Sequence, residues 1–273
     1  MQKYHFISGL PRSGSTLLSA ILKQNPRFTA NISDPLQDYA RTILQTTHAN
    51  VGMEIAVPIE KRKELIKGLF STFYQDNTEV CFNTNRAWTA QTSMLKDLWP
   101  DTKIIVCVRD VPWILDSFEQ LNSKNPYTIK ALYQHQDFQT VYQRTNSLMS
   151  LDGAGGYVTG PLACVRQAVF SNEKDMLCVV DYDALAKNPT ATMQKIYQFI
   201  NEPLFEHDFE NVEDSYDEFD ESANIKGLHT VKKRVEYKIR KPILPADLWQ
   251  QYMNQSFWKY DFDHIKKQIL WID

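Results

Sequence analysis

The sequence predicts an α/β fold, with a central parallel β-sheet flanked by helices on both faces. Three observations carry that reading. Short apolar runs alternate with segments of helical period along most of the 273 residues. The strongest run, "KIIVCVRD" (103–110), is almost continuously apolar, as a strand buried on both faces must be. A glycine-punctuated loop, "GLPRSGST" (9–16), stands between the first strand-like run and the first helical one.

The elements follow in order. "KYHFIS" (3–8) reads as a short buried strand, and "STLLSAILKQN" after the loop as a helix stopped by Pro26. Residues 35–48 and 59–75 read as helices, 79–83 as a strand, and 89–99 as a helix ended by Pro100. After the strand at 103–110, helices are expected at 112–122, 127–148 and 160–172. "DMLCVVDY" (175–182) is a further buried strand, and 188–200 a helix with proline in its first turn. With no repeat and no Pro/Gly/Ser-rich linker, one domain over residues 1–273 is expected. Its last part, 205–273, comprises an acidic loop, a basic segment and closing helices. The acidic run (206–222) reads as a solvated loop. In the basic stretch (226–242), six lysines and arginines within 230–241 either line an anion pocket or form an exposed face.

Composition narrows the function. A net charge of −3, from 30 basic and 33 acidic residues, argues against a general nucleic-acid or membrane-surface binder, though it permits a local basic pocket. Cys81, Cys107, Cys164 and Cys178 form no C-x-x-C pair and have no metal-ligand spacing, so buried free thiols in a reducing compartment are expected. No apolar run approaches a membrane span, and the first strand begins four residues from the start, which leaves no room for a leader. The expected location is cytoplasmic, as a monomer or homodimer.

The loop is built for a phosphate-like group. A strand–loop–helix unit aims backbone N–H groups at an anion with the positive end of the helix dipole behind them. Gly9 and Gly14 relieve steric limits on the turn, Pro11 stiffens it, and Ser13, Ser15 and Thr16 offer hydroxyls. The spacing of Gly9 and Gly14 is that of the P-loop G-x-x-x-x-G-K-[ST], yet Ser15 stands where the lysine belongs and the cation, Arg12, lies inside the loop. The strand at 103–110 ends on Arg109 before it reaches Asp110, which puts a cation where a magnesium carboxylate is usual. Two separated negative groups are therefore expected in one P-loop-like site, one on Arg12 and one on Arg109.

"GLPRSGSTLL" together with "VRDVPWILDS" (108–117) resembles the paired cofactor motifs of sulfotransferases that use 3′-phosphoadenosine 5′-phosphosulfate (PAPS). The likeness is greatest to the P-R-S-G branch, with the tyrosylprotein sulfotransferases and many bacterial family proteins. It implies that Pro11 to Thr16 cradle the 5′-phosphosulfate and that Arg109 with Ser117, eight residues on, binds the 3′-phosphate. "VVDYDALAKNP" resembles the later segment whose tyrosine, here Tyr182, lies against the cofactor. "HTVKKR" resembles the basic segment that closes over the nucleotide, which brings in Lys232 and Lys233. PAPS is then the cosubstrate, 3′,5′-diphosphoadenosine the product, and no metal is required. Arg12 is placed to stabilise charge on the leaving phosphate oxygen.

The acceptor, a small or medium molecule attacking through a hydroxyl, needs a base. Where tyrosylprotein sulfotransferases carry a glutamate, this chain has Ile32 and Ser33, and the nearest carboxylate is Asp34, with Asp38 and His48 behind it. Asp34 also precedes a proline, as a turn opener does. Where those enzymes have a catalytic lysine stands Thr84; Arg86 supplies a charge nearby, and Trp88 is expected to floor the acceptor pocket. His229 lies beside the basic segment. The rival readings are a P-loop kinase with an atypical loop and a catalytically inactive nucleotide-binding module.

Overall fold

A computed structural model describes residues 2–75, 78–125, 140–150, 156–212, 217–222, 226–260 and 267–273. Among them, six strands form one sheet: β1 (Lys3–Gly9), β2 (Phe28–Ala30), β3 (Val80–Thr84), β4 (Ile104–Val108), β5 (Leu177–Asp181) and β6 (Leu270–Ile272). Their order is β2-β3-β1-β4-β5-β6, and every pairing is parallel.

Alternation along the strands divides the core in two. Phe6, Ile104, Val106 and Val179 face one side; Ile7, Ile105, Cys107 and Val180 face the other. The first face is covered by α2 (Leu36–Thr47), α4 (Ile59–Phe73), α5 (Thr92–Leu98), α6 (Val111–Lys124), α8 (Thr159–Val169) and α12 (Ala246–Tyr252). The second carries α1 (Ser15–Leu22), α9 (Tyr182–Lys187) and α10 (Pro189–Ile200). Burial on both sides explains why the strands read as unbroken apolar runs. Three cysteines are buried on these strands and all four are free thiols; burial pushes Cys107 up to about 12. No helix among the described residues is long and apolar enough to cross a membrane.

The strand order fixes where a ligand site belongs. From β1 the chain runs out to β2, whereas from β4 it runs the other way to β5. The two connections part between β1 and β4, and the crevice beyond their carboxyl ends is the switch point of the sheet.

Several elements differ from expectation. Strands β2 and β6 have three residues each, too few to show a period. The short α3 (Val51–Ala56) buries nothing, so no apolar face announces it. The helix expected at 89–99 is a 3-10 turn over Arg86–Ala90 followed by α5. Of the helix expected at 127–148, residues 127–139 lie outside the described residues; α7 (Val141–Met149) begins on a capping box of Thr140 and Gln143. The basic stretch contains no regular element.

Candidate active site

Register places the site residues before any side chain is considered. Gly9 pairs with Cys107, so the loop leaving β1 runs beside the end of β4. Val108 pairs with Asp181, so the residues that follow, Arg109 and Tyr182, are neighbours. Gly9 must be glycine: at φ +118, an added Cβ would lie 2.1 Å from the Cys107 carbonyl oxygen. Gly14 caps α1 at φ +93, and a Cβ there would meet Cδ2 of Tyr182 at 2.9 Å. Tyr182 thus rests on the loop. Its ring also carries the Arg109 guanidinium, 4.2 Å from the ring centre.

Pro11 is buried in the turn, and Arg12 adopts the left-handed conformation at φ 57, a backbone strain held by its surroundings. Its Nε donates to Ser117 Oγ at 3.0 Å, and its Nη1 donates to the Leu228 carbonyl. Arg109 Nη1 reaches the Arg12 carbonyl at 3.4 Å, while Arg109 Nε is buried with no hydrogen-bond partner among the described residues. Ser117 is therefore bound by Arg12 rather than Arg109, and both guanidiniums share one crevice. Among the described residues, neither has a carboxylate oxygen within 4.0 Å.

The electrostatics follow. Burial pushes the Arg12 guanidinium down to about 10, with the charge of Arg109 acting in the same sense. Burial also lowers Arg109. Both remain cations at neutral pH. The first turn of α1 has no side-chain cap, and no side-chain hydrogen bond to the described protein ties Ser15 or Thr16. Ser13 differs: its buried hydroxyl donates to the carbonyls of Leu10 and Cys107, the latter at 2.9 Å. It braces the loop, and only its backbone N–H is left to serve an anion.

Three expectations are corrected. Lys232 and Lys233 point to solvent, Lys232 lying 3.8 Å from Glu236, because Val231 on one side and the Val212–Lys233 backbone bond on the other fix the segment with its lysines outward. The basic stretch instead sends Arg240 inward, onto the fully buried Asp116 and over the Trp113 ring. Burial, then the charge of Arg109, lowers Arg240. Trp88 offers no floor to an acceptor: it is 0% exposed, packed on Phe6, with Nε1 donating to Asn83 Oδ1 at 2.7 Å.

Asp34 is the third correction. It is buried, its Oδ1 accepts from Leu36 N–H at 3.2 Å and from Asn83, and its Oδ2 accepts from the Tyr74 hydroxyl at 3.0 Å. The side chain opens a turn and closes a polar knot in the core, where burial raises its pKa. Neither Asp38 nor His48 comes to the crevice; His48 pairs with Glu54 at 2.9 Å and Asp38 with Arg41 at 3.5 Å. Arg86 does come near. Ser8 Oγ holds its carbonyl at 3.0 Å, and its guanidinium lies 4.3 Å from the centre of the Tyr157 ring.

Sequence reasoning missed Arg240, Tyr157 and Asp220. The only signal for Arg240 was its place among six basic residues. Tyr157 and Asp220 gave none, because tertiary packing alone brings them to the loop.

The topology and the glycine loop define a P-loop-like α/β protein with a cationic crevice at its switch point. The chain belongs to the sulfotransferase family, whose family model matches residues 5–207. Its fold is similar to that of the sulfotransferase domain from the curacin biosynthetic pathway, with a TM-score of 0.57 at 14% identity over 96% of this chain and 99% of that one. It is also similar to sulfotransferase STF9 from Mycobacterium avium, with a TM-score of 0.51 at 14% identity over 96% of this chain and 78% of that one. At such identities the likeness is one of fold. No curated protein sequence matches this chain significantly.

Proposed function

We propose that this protein transfers a sulfuryl group from PAPS to an acceptor hydroxyl. The observation that carries the reading is the pair Arg12 and Arg109, two guanidiniums in one crevice without a carboxylate partner among the described residues, one with a buried Nε lacking any acceptor. Like charges held together in this way call for an anion between or beside them. The donor set fits a nucleotide with two separated anionic groups. PAPS, when bound, supplies a sulfuryl group on a phosphate leaving group.

The residues divide the work. The uncapped first turn of α1, with the hydroxyls of Ser15 and Thr16 and the backbone of Ser13 and Gly14, receives the 5′ group. Arg12 meets the negative charge that grows on the departing oxygen; removing one such preorganised donor costs about 10²–10³-fold in rate. Arg109 holds the 3′-phosphate, and the Tyr182 ring keeps it in place; Ser117, whose Oγ accepts from Arg12 Nε, still has its hydroxyl proton to donate to that phosphate. Asp110, the first carboxylate beyond β4, is ion-paired with Lys259 at 2.6 Å, which occupies the group a kinase would give to magnesium. The protein acts in the cytoplasm on a small or medium acceptor.

Calorimetric titration tests this reading. The wild-type chain should bind 3′,5′-diphosphoadenosine in preference to ATP–magnesium and should release labelled sulfate from PAPS in the presence of a chelator. Preference for ATP–magnesium would overturn it. Tight binding of 3′,5′-diphosphoadenosine without sulfate release from PAPS would point to an inactive module.

A further inference from the structure

The arginine beyond β3 has no task in the transfer described above. Arg86 opens the 3-10 turn that follows β3, at the carboxyl edge of the sheet where the loop after β1 also emerges. Two buried hydroxyls hold that turn: Ser8 Oγ donates to the Arg86 carbonyl at 3.0 Å, and Thr89 Oγ1 donates to it at 3.2 Å. Ser8 directly precedes Gly9, so the backbone of Arg86 is pinned to the base of the anion loop. Its side chain reaches Tyr157, with the guanidinium carbon 4.3 Å from the ring centre. Tyr157 in turn packs edge to face on Phe118 of α6, ring centres 5.8 Å apart, beside Ser117, whose Oγ accepts from Arg12 Nε at 3.0 Å. A short chain of contacts thus joins Arg86 to Arg12, and both charges are felt at His229.

The guanidinium of Arg86 is half-buried, yet among the described residues it makes no hydrogen bond and has no carboxylate oxygen within 4.0 Å. Asp220 of α11 (Asp217–Ser222), whose charge reaches Arg12, gives its two oxygens to His229 instead, through the backbone N–H at 2.9 Å and Nδ1 at 2.7 Å. The Tyr157 ring attracts the charge of Arg86 but leaves five N–H donors without acceptors. The strand order β3-β1-β4 then separates the tasks. Arg109, after β4, draws the nucleotide to one side of the loop, and Arg86, after β3, stands on the other, where an acceptor approaches in line with the departing phosphate. From this juxtaposition we infer that Arg86 is a specificity residue for an acceptor that carries a carboxylate as well as its hydroxyl. The assignment rests on the sulfuryl-transfer reading and names the substrate class of that same site. The planar fork of an arginine matches a carboxylate, and one guanidinium balances one negative charge, which favours a carboxylate over a dianionic phosphate. Arg86 binds and orients; the bonds made and broken are those of the transfer itself.

Calorimetry of the full chain saturated with 3′,5′-diphosphoadenosine tests the assignment with hydroxy acids of graded length, from para-hydroxybenzoate to longer para-hydroxyphenylalkanoates, each against its methyl ester. At least one acid should bind about ten- to a hundredfold more tightly than its ester, the worth of one charge-assisted pair. Arg86→Gln should bring that acid down to the level of its ester while the affinities for the ester and for 3′,5′-diphosphoadenosine stay as in wild type. Arg86→Lys, which keeps the charge without the fork, should fall between. Labelled-sulfate transfer from PAPS should show the same loss in Arg86→Gln, as a raised KM for the acid with kcat little changed. A series in which no acid outbinds its ester, or a glutamine variant that impairs acid and ester alike, would overturn the role of Arg86 and leave sulfuryl transfer standing. Failure of the wild type to bind 3′,5′-diphosphoadenosine, or to pass sulfate to any acid it binds, would instead remove the underlying reading, and this assignment with it.

Discussion

Gly14→Ala is the substitution that links backbone, aromatic ring and anion site in one step. At φ +93 an L-residue carries a steric penalty of about 1–2 kcal/mol. The new methyl also lies 2.9 Å from Cδ2 of Tyr182, so the ring must move off the loop. That ring holds Arg109 at 4.2 Å, an interaction of about 0.5–2 kcal/mol for a partly desolvated pair. The variant should therefore lose about 1.5–4 kcal/mol of unfolding free energy in denaturant titration. Because Arg109 loses its platform, affinity for 3′,5′-diphosphoadenosine should drop about tenfold, the equivalent of some 1.4 kcal/mol. Unchanged stability together with unchanged affinity would refute the claim that Tyr182 and the loop form one unit.

Two further outcomes follow from buried charge. Arg240→Ala strips the cation from Asp116, which is 0% exposed and, among the described residues, retains only the N–H groups of Ile243 and Leu244. Breaking a buried pair costs about 3–5 kcal/mol, and the lower end applies because Arg240 is 31% exposed; chemical denaturation measures it, and no loss would contradict the packing described. His5 is buried, and its Nδ1 accepts from Lys103 N–H at 3.1 Å, which puts its proton on a buried Nε2 that has no hydrogen-bond partner among the described residues. Burial depresses it from 6.5 to about 4, so the unfolded chain binds the extra proton first. Stability should hold above pH 6.5 and decline by about 3 kcal/mol as pH falls towards 4; His5→Leu should flatten that limb.

The sheet and the loop were legible because their signals are local. "KIIVCVRD" announces a strand buried on both faces, and Gly9 and Gly14 mark a turn whose backbone needs follow from two positive φ angles. The joining of Arg12 to Arg109 was legible too, since a parallel sheet gathers the ends of its strands at one edge. What failed were inferences about which way a side chain turns. Asp34 and Trp88 stand near the carboxyl ends of their strands, as an acceptor site requires, yet both turn inward to the hydrogen-bonding knot around Asn83. Lys232 and Lys233 carried the closing segment by resemblance, whereas its only inward cation is Arg240 among the described residues. In an irregular stretch no period tells one face from the other, and Asp116, the partner that selects Arg240, lies more than a hundred positions earlier.

The claim beneath the whole account is that Arg12 and Arg109 bind separate phosphates of one nucleotide. Calorimetry of Arg109→Ala with 3′,5′-diphosphoadenosine and with adenosine 5′-phosphate examines it directly. The variant should lose affinity for the bisphosphate, by about 2 kcal/mol or some thirtyfold, and keep that for the monophosphate. Equal losses for both ligands, or none for either, would contradict it.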